Sequence, residues 1–187
     1  MIRRPLALKL VPMLAITALL LLIDACWISA KAVVAQRLIA YSWDQDAARP
    51  WPWADTYPVA RLTISGESLY VLAGSQGASL AFGPGHVDGT ALPGEPGVSV
   101  LGGHRDTHFA VLQSAVPGDR ILVQDRSRHW SEYEIVLMQV EDVRQSPYLS
   151  LPADENLMVL VTCYPFDAVQ PGGPLRFVVY AVREAGL

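Results

Sequence analysis

Glycine and proline divide the second two thirds of this chain into short apolar segments, and no long amphipathic helix fits between most of them. Residues 61–65 alternate apolar and polar, 68–72 follow Gly66, and 80–82 lie between Gly77 and the Gly83-Pro84-Gly85 turn. Residues 98–101 run into Gly102-Gly103, and 120–124 follow Pro117-Gly118-Asp119. Residues 130–137 alternate and continue to 143; the segments 157–163 and 175–182 complete the set. Eight short strands at this spacing predict an all-β domain, either a closed barrel or a sandwich.

The segment Leu157-Met158-Val159-Leu160-Val161-Thr162-Cys163-Tyr164-Pro165-Phe166 stands out. Its apolar run suits a strand buried on both faces, and Pro165 cannot extend the ladder. Cys163 is thereby predicted at a strand end, where a loop mouth opens. A free cysteine is most often a small buried hydrophobe, so the strand alone does not make it reactive.

The N-terminus bears on that choice. Hydrophobic residues make up 51% of the chain, and part of the excess lies between Leu10 and Ser29, about the length a bilayer-spanning helix requires. Arg3, Arg4 and Lys9 precede it, which predicts a cytoplasmic N-terminus and an exported remainder. Ile23-Asp24-Ala25-Cys26 has a faint likeness to a lipoprotein cleavage site, but Asp24 fits poorly there, and the segment is read as an uncleaved signal anchor with Asp24 near the outer interface. Residues 31–40 predict a helical stalk, and Trp43, Trp51 and Trp53 among Pro50 and Pro52 a linker that serves as an aromatic belt or a cover for the domain. The expected organisation is anchor 1–30, stalk and linker 31–56, and domain 57–187.

With only two cysteines, and Cys26 inside the anchor, an exported domain holds one thiol without a partner. In an oxidising compartment such a thiol is a candidate for reactivity. A net charge of −4 and the absence of a basic cluster exclude a nucleic-acid footprint.

A cysteine nucleophile needs an imidazole or cation, because a free thiol near pKa ~8.5 holds little thiolate at neutral pH. His129 lies in the solvated turn Asp125-Arg126-Ser127-Arg128, and His86 in a turn-rich loop. His104 follows a strand end and two glycines that let the backbone approach another element, and it is preferred to His108, four residues on. In the last strand Arg176 shares its face with Val178 and Tyr180, opposite Leu175, Phe177 and Val179. A guanidinium so placed either snorkels from an edge or holds negative charge, such as a developing oxyanion.

These residues together resemble the sortases, membrane-anchored cysteine transpeptidases, and in particular the proteobacterial branch called class GN or marine proteobacterial sortases. The family's Thr-Leu-x-Thr-Cys is matched by Val159-Leu160-Val161-Thr162-Cys163, valine replacing the leading threonine. Its Gly-His corresponds to Gly103-His104, its strand arginine to Arg176, and Pro-Trp-Pro-Trp-Ala-Asp-Thr at 50–56 resembles that branch's lead into the domain. The resemblance implies an eight-stranded sortase-type β-barrel with short helices behind a transmembrane helix. It implies cleavage of an LPxTG-like (Leu-Pro-x-Thr-Gly) C-terminal sorting signal on an exported protein, with Cys163 as nucleophile, His104 as acid and base, Arg176 at the oxyanion and Thr162 in contact with the substrate or a backbone group. The acceptor is an amine, such as a peptidoglycan precursor; no cofactor is required. The catalytic domain is expected on the periplasmic side of the inner membrane. Glu141-Asp142 and Asp154-Glu155 read as solvated loop charges rather than a calcium site. Two alternatives stay open: an anchored thiol hydrolase, and a non-enzymatic anchored binding module.

Overall fold

The computed structural model describes residues 4–46, 49–145, 156–170 and 172–184, and the chain divides into two compact units, Met1–Arg37 and Leu38–Leu187. The first unit is helical, the greater part of α1 (Arg4–Asp44). Its side chains from Met13 to Ile23 include eight large apolar ones that are more than half exposed. Among the described residues no helix is long and apolar enough to cross a membrane; the side chains of Leu10, Val11, Ala25, Ile28 and Ser29 lie outside them.

In the second unit the end of α1 packs down. Ile39, Ser42 and Trp43 are buried, the Trp43 ring lies 6.3 Å from Tyr70, and the Arg128 guanidinium sits 4.7 Å above it while donating to the Trp43 carbonyl. Trp51 meets Phe82 edge-on at 5.4 Å, and Trp53 is 79% exposed. The three tryptophans thus divide: Trp43 covers the domain, Trp51 leans on it, and Trp53 faces outward.

Eight strands close into a barrel: β1 (Pro58–Ile64), β2 (Glu67–Ala73), β3 (Gly85–His86), β4 (Gly97–Gly102), β5 (Arg120–Gln124), β6 (Trp130–Asp142), β7 (Asn156–Cys163) and β8 (Leu175–Arg183). The order is β1-β2-β3-β4-β7-β8-β6-β5, closed by β1 on β5. β2 runs parallel to β3 and β4 parallel to β7; the other neighbours are antiparallel.

One predicted strand is a helix. Residues 80–82 belong to α2 (Ala78–Phe82), because three apolar residues are too few for periodicity to separate helix from strand. The eighth strand is β3, inside the predicted loop. Gly85 permits it: a Cβ there would stand 2.3 Å from the Gly74 carbonyl oxygen, where the chain leaving β2 crosses over. The long alternating segment from Trp130 is one strand whose register slips between Ile135 and Leu137 on β8, leaving Val136 half exposed at the irregularity.

Period-two alternation fills the interior with Leu62, Ile64, Ile121, Val123, Tyr133, Ile135, Met158, Leu160, Val179 and Ala181. Each fully buried aliphatic side chain of this kind contributes roughly 1.5–3 kcal/mol. A second cluster, Val100, Leu157, Val159, Val178 and Tyr180, forms on the opposite face of β4, β7 and β8. β7 is therefore buried on both faces, as its composition predicts, and the functional side chains lie on the outer one.

Candidate active site

Cys163 and Arg176 are direct partners across the antiparallel β7–β8 pair. Alternation puts Cys163 on the face of Val159 and Val161, and Arg176 on the face of Val178 and Tyr180, so both extend the outer apolar cluster. The mixed face read for Arg176 in sequence is what the barrel contains.

His104 arrives from β4. In the parallel pairing Val100 lies opposite Val159 and Gly102 opposite Val161. Two hydrogen bonds carry this register past the ladder: the Gly103 N–H donates to the Val161 carbonyl at 3.1 Å, and the Thr162 hydroxyl donates to the Gly103 carbonyl at 2.8 Å. The next residue is His104, on the outer-face parity of Gly102 and at the strand end that carries Cys163. Cys163 and Arg176 are half-buried and His104 is exposed.

Local packing makes both the glycine and the turn after it necessary. A Cβ at Gly103 would lie 2.6 Å from the Phe109 ring, which is fully buried in the interior. The Phe109 N–H closes the turn by donating to the His104 carbonyl at 2.9 Å. His108, within this turn, is half-buried. Burial first, and the neighbouring His104 second, push its pKa below the ordinary 6.5, with Asp106 opposing. The structure thus brings a second imidazole near the first. His86 and His129 have other roles: His86 Nε2 is 2.9 Å from the Ala91 carbonyl oxygen in a buried turn, and the exposed His129 pairs with Asp125.

Thr162 is 2% exposed and its hydroxyl is spent on Gly103, so its contact is with backbone rather than with an open groove. It joins the strand of the thiol to the strand of the imidazole.

The β7–β8 connection faces the histidine turn. Arg176 Nη1 donates to the Gly173 and Leu175 carbonyls at 2.7 and 2.9 Å. A guanidinium has five donors, and Nη1 supplies two of them. In the middle of the connection, Arg105 Nη2 donates to the Ala168 carbonyl at 2.6 Å and the Gln170 carbonyl at 3.2 Å. Tyr164, Phe166 and Phe177 pack at 5.3 to 6.2 Å between ring centroids, Phe166 and Phe177 against the interior cluster. Neither Arg105 nor Phe109 was legible as a site residue, since an arginine in a polar loop looks like any solvated charge.

Glu141 and Asp142 end β6 instead of lying in a loop. Glu141 accepts from the Tyr180 hydroxyl at 2.9 Å, and hydrogen bonds from Arg144 hold the Asp142 carboxyl down at about 2. Asp154 and Glu155 lie outside the described residues.

A thiol, an imidazole and a guanidinium on three adjacent strands, at one end and on one face, can form and resolve a covalent acyl intermediate. Comparison with known proteins places the fold. The family described as the sortase domain matches residues 62–184. Sortase D of Bacillus subtilis (strain 168) is 31% identical over 115 residues, which are 62% of this chain and 57% of that protein; the chain thus spans a little over half of that relative. Sortase A from Corynebacterium diphtheriae superposes with a TM-score of 0.61 at 26% identity, over 71% of this chain and 63% of that one. The sortase D5 transpeptidase of Clostridium perfringens, 22% identical, shares the fold with a TM-score of 0.62 over 82% and 99%.

Proposed function

The chain belongs to the sortase family, and from that premise we propose that it is a membrane-anchored cysteine transpeptidase that cleaves an LPxTG-like C-terminal sorting signal and joins the product to an amine. The observation that supports this reading best is the convergence of Cys163, Arg176 and His104 at the ends of β7, β8 and β4. The signal lies along the outer apolar cluster of those strands, and its scissile carbonyl reaches Cys163 at their end. The Cys163 thiolate attacks that carbonyl, and the Arg176 guanidinium stabilises the oxyanion. His104 gives a proton to the departing amine as the C–N bond breaks, leaving a thioester on Cys163. An acceptor amine, losing a proton to His104, then attacks the thioester; the C–S bond breaks, an amide forms and the thiolate returns. Thr162 acts by holding Gly103, and so His104, in register.

In the same reading the exposed apolar side chains from Met13 to Ile23 sit in the inner membrane, with Arg3, Arg4 and Lys9 on the cytoplasmic side and the domain in the periplasm. The proteobacterial class GN assignment belongs to this proposal too, supported by the Pro-Trp-Pro-Trp segment at 50–53.

The test incubates the full chain with a fluorogenic Leu-Pro-x-Thr-Gly peptide, with and without added amine, for wild type and the Cys163→Ala, His104→Ala and Arg176→Ala variants. Mass spectrometry follows the acyl adduct on Cys163. An adduct, an amine-linked product and loss of cleavage in each variant are expected. Free acid alone, whatever the amine, favours the thiol hydrolase; no adduct over a panel of related signals favours the binding module.

A further inference from the structure

We propose that Arg105 is a positioning residue that fixes the β7–β8 connection against the His104 turn, and so sets the opening through which the acceptor amine reaches the acyl group on Cys163. The acceptor role rests on the transpeptidase reading; the positioning itself does not.

Arg105 follows His104 directly and reaches across 63 and 65 residues of sequence to the Ala168 and Gln170 carbonyls. These are charge-assisted bonds, and both come from one nitrogen of a half-buried side chain. The backbone it starts from is already rigid: Gly103 is bonded on both sides to β7, and the His104 carbonyl accepts from Phe109. Arg105 is thus a strut from a fixed point. The connection it meets is held at its far end by Arg176 Nη1 on Gly173 and Leu175, and at its start by the Tyr164 N–H on Leu175. The stretch around Ala168 and Gln170 lies between these fastenings, and Val169, between the two carbonyls, is 97% exposed. It has little packing of its own to hold it.

Direction gives the function. The outer apolar cluster leads along β4, β7 and β8 up to Cys163, so a bound signal occupies the strand side of the thiol. The leaving amine, and the acceptor that replaces it, must then occupy the side beyond the strand ends. That side is bounded by the His104 turn on one wall and the β7–β8 connection on the other, and Arg105 spans the two.

The experiment compares full-length wild type with Arg105→Ala, Arg105→Gln and Arg105→Lys, each checked for unchanged thermal unfolding. Amide hydrogen exchange is read over 164–170, and Cys163 alkylation is timed with small iodoacetamide and with a bulky fluorescein maleimide. Arg105→Ala and Arg105→Gln are expected to speed exchange around 168–170 and to raise the maleimide-to-iodoacetamide rate ratio about tenfold, the iodoacetamide rate staying within about twofold; Arg105→Lys, which keeps a charged donor, restores part of the effect. Unchanged exchange together with an unchanged ratio overturns the proposal, as does a change fully shared by Arg105→Lys. With the sorting peptide and triglycine as acceptor, the same variants are expected to shift product about tenfold toward free acid while adduct formation on Cys163 holds within about twofold. Equal loss of adduct and transfer overturns the acceptor assignment. A wild type that forms no adduct sinks the transpeptidase reading, and the exchange and alkylation results then decide the strut alone.

Discussion

Replacing Gly103 with alanine, beside the same replacement at Gly102, measures how the imidazole is held. The new Cβ at 103 would stand 2.6, 2.7 and 2.9 Å from Phe109 Cδ2, Cγ and Cε2, where carbon atoms in good contact keep ~3.5–4.0 Å. About 1 Å of overlap must be absorbed by a ring that is fully buried, and overpacking of this kind costs about 1–3 kcal/mol. At Gly102 the nearest atom would be Ser75 Cβ at 3.9 Å, an ordinary contact. A glycine-to-alanine change on compatible backbone stabilises by about 0.4–1 kcal/mol through the unfolded chain. The unfolded-chain gain is common to both changes, so the two variants should differ by about 1–3 kcal/mol, Gly103→Ala being the less stable. Urea unfolding of the full chain, followed by tryptophan fluorescence, reads the difference. Phe109→Leu in the Gly103→Ala background should recover part of the loss as a favourable coupling in a double-mutant cycle. The reasoning fails if the two alanine variants agree within about 0.5 kcal/mol, or if the Phe109 coupling is absent.

Thr162→Val removes the hydroxyl bond to Gly103 at nearly constant volume and leaves a part-buried carbonyl short of a donor; a loss of about 1–2 kcal/mol in the same unfolding assay is expected. Arg128→Ala strips the end of α1 of its cation–π contact with Trp43 and its bond to the Trp43 carbonyl, and should cost about 1–2 kcal/mol and redden the tryptophan emission. His108 has a folded pKa below 6.5, so the unfolded chain binds more protons as pH falls through that value and wild-type stability declines there. His108→Gln should flatten that decline between about pH 6.5 and the lower folded pKa, and an unchanged slope in pH-dependent unfolding would count against the assignment.

Much of this architecture is local and was therefore readable. Seven of the eight strands follow from alternation and from glycine and proline, because side chains of an extended chain point to opposite faces wherever it pairs. The same alternation set Arg176 apart, and the break at Pro165 placed Cys163 at a strand end. Where local information ran short the reading slipped: residues 80–82 were too few to show a period, and Gly85-His86 became a strand only because β2 and β4 flank it.

The sequence by itself therefore determined seven of the eight strands, the thiol at the end of one, the Gly-His at the end of another and the odd arginine, since backbone geometry fixes each within a few residues. Tertiary structure decided which strands are neighbours. The parallel β4–β7 pair joins Thr162 to Gly103 across 59 residues, and Arg105 meets Ala168 across 63. Such contacts form because closing the barrel buries one face of every strand at once, a balance over the whole chain that no short stretch contains.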